Sequence, residues 1–235
     1  MTTIYVAAEH HRLYWHWKET GERDLRLSHV DFHCDMRGLL IDRARQEAVV
    51  DRPVELEHVD QGNFLVHAIC EGMVGGLDWI HHDVGGRPHD LGTVRYSTDL
   101  RTRVLGRPTT GWMPLAYRER SLASWEGPRP GEHLDLDWDA LACRSYSLDT
   151  VRRLQREFLA KDFAHRPETV YFIYSYCSSH IDDEAFESFL DQLRRKLDAR
   201  VERLSPLPAE HSNQEHDPPM ATRIRGAGMT LPGAR

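Results

Sequence analysis

Cysteine is scarce in this 235-residue chain: Cys34, Cys70, Cys143 and Cys177 lie far apart, with no C-x-x-C pair. That spacing argues against a cysteine-built zinc site and against a disulfide framework, so free thiols are expected. Long apolar runs are also missing. None approaches the roughly 20 residues needed to span a bilayer, so no membrane partner is expected. Basic excess is absent as well: the formal net charge is −7, which gives a phosphate backbone no electrostatic support and leaves nucleic acid out. No G-x-G-x-x-G or Walker pattern occurs, and Gly62-Asn63 and Gly85-Gly86 are too short to make a phosphate loop. The opening MTTIYVAAEHH shows no basic stretch followed by an apolar one, so nothing marks export and a cytoplasmic protein is expected. What the chain has in quantity is histidine, 15 in all, several of them beside aspartates.

Short apolar or β-branched runs at 3–8 (TIYVAA) and 25–31 (LRLSHVD) end in polar clusters, as buried parallel strands do when they feed an active-site loop. Residues 9–20 between them read as a helix. Helical spacing returns at 62–72, where Phe64, Leu65, Ala68 and Ile69 precede Gly72, and a strand LDWI (77–80) follows. From 85 to 130 no period persists, and the segment reads as a long lid or binding-loop excursion with a hairpin around 93–105. HLDLD (133–137) is a strand, about 148–161 a helix, TVYFIYSY (169–176) a strand and 182–199 a helix. The last has Phe186, Phe189, Leu190, Leu193 and Leu197 on one stripe. Five of the 12 prolines fall after Ser205, which makes 205–235 a disordered tail and 1–204 a single domain. Alternating strands and helices imply an α/β fold, a mostly parallel sheet covered on both faces, with ligands beyond the carboxyl ends of its strands.

The strongest local signal is His29-Val30-Asp31-Phe32-His33-Cys34-Asp35. Alternate residues leaving a strand project the same way, so Asp31, His33 and Asp35 can converge on one point. A second such end, Leu134-Asp135-Leu136-Asp137-Trp138-Asp139, places two acids at i and i+2 after an apolar lead-in. Burying acids together without a cation is costly, so the two ends suggest a shared site; the competing reading is that each pair caps a loop or faces water. His10 or His11, just after the first strand, would complete it. Six ligands of mixed His and Asp type exceed one structural zinc and suit two oxygen-rich ions such as Mn²⁺.

Asp31-x-His33-x-Asp35 resembles the D-A-H-x-D motif of arginases and related ureohydrolases, and Asp135-x-Asp137 resembles their later D-x-D motif. The phrases AEHHRLYW, SHVDFHCDMRG, DQGNFLVHAICEGMVGGLDWIHHD, HLDLDWDAL and SYCSSHIDDEAFESFLDQL are similar to a shorter, divergent branch of that superfamily. This branch includes the peptide arginases of ribosomal-peptide maturation, which convert arginine side chains of a precursor peptide to ornithine. The resemblance covers residues 3–83 and 132–198. It implies a three-layer α/β/α fold of the arginase/deacetylase type holding two manganese ions. Asp31 and Asp135 would bridge them, His10 and Asp35 would complete one ion, and His33 with Asp137 the other. It further implies an arginine-containing precursor peptide as partner.

Departures from the family pattern matter equally. The chain has Ala8-Glu9-His10 where free-arginine enzymes carry a Gly-Gly-Asp-His phrase. The strand expected to carry a guanidinium-binding glutamate reads Phe172-Ile173-Tyr174-Ser175-Tyr176. A guanidinium has five donors and no acceptor, so a carboxylate is needed from elsewhere. Glu71 is the first candidate, sharing one face of the 62–72 helix with Asn63 and His67, and Asp60 and Asp83 are the fallbacks. His81, ending the LDWI strand, is placed to give a proton to a leaving amine. Between 85 and 130, eight arginines against four acids form a basic segment suited either to an acidic peptide or simply to solvent. The competing functions are a deacetylase-like amide or amidine hydrolase with one zinc, and a metal-stabilised peptide-binding module without turnover.

Overall fold

A computed structural model describes residues 1–82, 89–176, 178–180 and 182–207. The cysteine expectation holds for Cys34, Cys70 and Cys143, which are free; Cys177, Asp83, Arg87 and the tail from 208 lie outside the described residues. The elements in chain order are β1 (Thr3–Ala7), α1 (His11–Thr20), β2 (Leu25–Val30), β3 (Leu39–Asp42), β4 (Glu47–Val50), α2 (Phe64–Cys70), β5 (Val74–His81), β6 (His89–Tyr96), α3 (Thr98–Leu105) and β7 (Met113–Ser121). They continue with β8 (His133–Asp137), α4 (Asp139–Ala142), α5 (Leu148–Ala160), β9 (Thr169–Ile173), α6 (Asp183–Leu197) and β10 (Arg200–Arg203). Among the described residues, ten strands join one sheet in the order β10-β1-β9-β8-β2-β5-β7-β6-β4-β3. From β10 to β7 every pairing is parallel, and only β7 with β6 and β4 with β3 run antiparallel. The fold is α/β, with a mixed and mostly parallel sheet, and no described helix is long and apolar enough to cross a membrane.

Strand alternation sorts the core into two layers. In β1 and β9, Ile4, Val6, Val170 and Phe172 face one side; there Leu141 of α4, Leu154 and Phe158 of α5 and Phe189 and Leu193 of α6 pack on them. Ala7, Tyr171 and Ile173 face the other side, against Leu13 and Trp17 of α1, Phe64 and Ile69 of α2 and Leu100 of α3. Local chemistry sets the helix ends: Ser147 and Asp182 accept the Thr150 and Ala185 amides at the starts of α5 and α6. Gly21, at φ 76°, ends α1 in the left-handed region.

Three expectations change. Among the described residues, 89–121 are not an excursion: β6 and β7 extend the sheet, and where a hairpin is expected around 93–105 the end of β6 leads into α3, started by Ser97 accepting the Leu100 amide. Strand β5 begins at Val74, running through Gly75 and Gly76, and β9 ends at Ile173 because Ser175 turns the chain at φ 48°.

Candidate metal centre

Parallel pairing brings the carboxyl ends of β1, β8 and β2 to one edge of the sheet. His29 and Asp135 are register partners across β2 and β8, on the same face as Leu27. Asp31 and Asp137 project from the residues beyond them. The His10 imidazole, just after β1 and stacked on Phe64 at 4.8 Å, lies in their midst. Its Nδ1 is 3.2 Å from Asp31 Oδ2, 2.9 Å from Asp35 Oδ2 and 3.0 Å from Asp137 Oδ2, and its Nε2 is 3.0 Å from Asp135 Oδ1. Asp35 reaches inward because its backbone takes φ 50°, a left-handed value that a non-glycine residue adopts at a cost of about 1 kcal/mol or more.

Most of these acids use one oxygen for the scaffold and present the other. Asp31 Oδ1 accepts the His33 amide at 2.7 Å, and Asp137 Oδ1 the Asp139 amide at 2.9 Å. Asp135 Oδ2 pairs with His29 Nδ1 at 2.8 Å, and the Ser175 hydroxyl donates to Asp137 Oδ2. A second group shares Asp31: His33 Nδ1 is 3.1 Å from Asp139 Oδ2 and 3.7 Å from Asp31 Oδ1. Ligand-type atoms thus gather as His10/Asp31/Asp35, as Asp31/His33/Asp139 and as His10/His29/Asp135.

This donor set fits a metal. Asp31, Asp35, Asp135, Asp137 and Asp139 are all buried, at 5% exposure or less. His29 Nε2, Asp31 Oδ2, Asp35 Oδ2 and Asp139 Oδ2 are buried with no partner in hydrogen-bond geometry; the three acid oxygens have only the His10 and His33 rings within 3.2 Å, and a buried polar group left so costs on the order of 1–3 kcal/mol unless a cation satisfies it. Three carboxylate oxygens thus stand 2.9–3.2 Å from one nitrogen, His10 Nδ1, a density of hard donors suited to a divalent ion. Burial, reinforced by Asp35, Asp139 and Asp137, raises the Asp31 pKa well above the carboxylate range. Burial and then Asp139 push Asp137 up to about 6. Asp135 goes the other way: burial opposes its charge, but His10 and His29 outweigh it and lower its pKa. Burial likewise opposes a charged His10, yet Asp135 and Asp35 raise its pKa well above the ordinary value.

Of the residues expected at the metal site, His10, Asp31, Asp35, Asp135 and Asp137 come together directly, and His33 joins through Asp31 and Asp139 with its side chain 49% exposed. His11 faces Glu9 instead, at 3.5 Å. His29 and Asp139 belong to the cluster and extend both i, i+2 series by one member; that continuation is the sequence signal for them. His81 ends β5, half-buried, its ring 4.5 Å from that of Trp79. Asn63 is taken up by its own turn: its amide donates to the Glu55 and His58 carbonyls at 2.6 and 2.7 Å and accepts the Asp60 amide at 2.8 Å.

Glu71 is a correction. The helix that begins beside His10 at Phe64 carries Glu71 to its far end, about 10 Å along the axis at 1.5 Å per residue. There its carboxylate is held by the Tyr14 hydroxyl and, at 3.2 Å, by Lys18. It lines a cavity of about 630 Å³ with Lys18, Arg101 and Arg107, away from the acid cluster. Asp60 is engaged by Arg37. No family model matches the chain, and no curated protein matches it.

Proposed function

We propose that this chain is an arginase-like metal-dependent hydrolase, a peptide arginase that converts arginine residues of a precursor peptide to ornithine with release of urea in the cytoplasm. The observation that supports it most is the convergence of two aspartate series, from adjacent parallel strand ends, on one buried imidazole. The donors are mostly carboxylate oxygens with imidazole, a set suited to manganese. His10, Asp31, Asp35, Asp135 and Asp137, with His33 and Asp139, would hold two such ions, which supply Lewis acidity and a water of lowered pKa. His10 and Asp31 each stand in two of the three groups, and of these Asp31, with two carboxylate oxygens, is the residue suited to be shared between two ions. In the reaction, water oxygen bonds to the guanidinium carbon, the bond from that carbon to the side-chain nitrogen breaks, and the nitrogen leaves as the ornithine amine. His81, at the strand end beside Trp79, is the chain's candidate to deliver the proton that this amine takes up.

Urea release from an arginine-bearing peptide by the manganese-loaded protein is the test, with free L-arginine expected to be the poorer substrate. Equal rates on both would move the reading to small-molecule metabolism. One zinc per chain and amide cleavage would move it to the deacetylase-like alternative, and metal binding with no turnover to a binding module.

A further inference from the structure

We propose that Glu119 is the carboxylate that receives a guanidinium beside the metal centre, and that Arg43 of the same chain occupies the place of the incoming side chain. The inference rests on the reading above for its substrate, but the site itself is visible without it. Asp135, His29, Trp79 and Glu119 are successive register partners across β8, β2, β5 and β7. They form one row, and with strands about 4.8 Å apart the Glu119 backbone stands about 10 Å from that of His29. Glu119 faces the same layer as the metal cluster: Tyr117, two residues before it, is in the core beside Leu27, and its hydroxyl donates to Glu119 Oε1 at 3.0 Å. Between the acid and the cluster lies Trp79, whose indole N–H donates to the Asp31 carbonyl at 3.2 Å.

Glu119 is 8% exposed, and a carboxylate so placed needs a cation. It has a guanidinium: Arg43 Nη2 lies 2.9 Å from Oε2 and 3.3 Å from Oε1. Arg43 comes from the turn joining β3 to β4 and its side chain is 52% exposed, so solvent reaches the cation while the acid stays inside. A buried acid gripping a guanidinium from solvent, in the same row as the metal ligands, is what a pocket for an arginine side chain requires. Exchanging Arg43 for a substrate arginine conserves the charge-assisted bonds. The acid missing from β9 would thus be supplied from the other side of the metal centre, by β7. Arg43 would act as a built-in competitor.

The experiment is calorimetric binding of Nα-acetyl-arginine amide to the full-length, manganese-loaded protein, with the citrulline analogue as the uncharged control. Arg43→Ala is expected to tighten binding of the arginine probe about 10-fold or more, and Glu119→Gln in that background to remove the gain, with the control unaffected. The double variant removes both partners, leaving no buried charge unpaired, and its thermal melt and metal content verify that it is folded and loaded. No gain in Arg43→Ala, a gain that survives Glu119→Gln, or an equal gain for the citrulline probe would each overturn the assignment. If the binding pattern holds while no variant releases urea from an arginine peptide, the guanidinium site stands and the hydrolase reading falls.

Discussion

Replacing Asp137 by asparagine isolates the cost of packing these acids together without their cation. An aspartate in an unfolded chain titrates near 3.9, whereas burial and the neighbouring Asp139 push folded Asp137 up to about 6. The raised value means that the unfolded state gives up its proton first. Stability of the metal-free protein is therefore full below about pH 4, is lost as pH rises to about 6, and stays lost above. Two pKa units at 1.36 kcal/mol each put the loss at about 3 kcal/mol at pH 7.5, and at about 1 kcal/mol at pH 4.5. Asparagine carries no charge to bury and keeps a carbonyl oxygen for the Asp139 amide, which Asp137 Oδ1 accepts at 2.9 Å. Chelated Asp137→Asn should accordingly melt about 6–12 °C above the chelated wild type at pH 7.5, with about a third of that gain at pH 4.5. Added Mn²⁺ should reverse the order, because the wild type gains binding energy that the variant has lost. Circular-dichroism melts at the two pH values, with and without metal, decide it. A metal-free variant that melts no higher than wild type at pH 7.5, or that gains equally at both pH values, refutes the reasoning.

Asp31→Asn, in two of the three ligand groups, should lower metal content by mass spectrometry further than Asp35→Asn, and Asp135→Asn should also lower it; full occupancy in both Asp31→Asn and Asp135→Asn would show the centre to be wrongly drawn. Burial opposes protonation of His33, but Asp139 outweighs it and holds the metal-free ring up to about 9. Metal must displace that proton, and the one that His10 holds at its raised pKa, so affinity measured by chelator competition should rise at least about tenfold from pH 7 to pH 8, and a flat profile would contradict the assignment. Glu71→Gln should leave metal content and urea release within about twofold of wild type, since a surface ion pair such as that with Lys18 is worth little more than stability of under about 1 kcal/mol. A loss of activity by orders of magnitude would return Glu71 to the active site.

The parallel core and its metal edge were legible because period two writes them twice. Asp31, His33 and Asp35 follow an apolar lead-in, as do Asp135 and Asp137, and parallel strands put such ends on one edge whatever their order. Strand order itself left no local trace, and it is what makes His29 a partner of Asp135 rather than a core histidine. The region from 85 to 130 was obscured by composition: prolines, glycines and arginines mask β6 and β7, although Leu115, Tyr117 and Glu119 do alternate inward. Helical spacing misled at Glu71 for a physical reason. A shared face at i, i+4 and i+8 fixes direction about the axis and says nothing of position along it, so Asn63 and Glu71 point alike while standing at opposite ends of α2. In a parallel α/β sheet, helices run back from the ligand-binding edge. An acid late in such a helix is thus carried away from the metal, while one late in a strand, as Glu119 is in β7, is carried toward it.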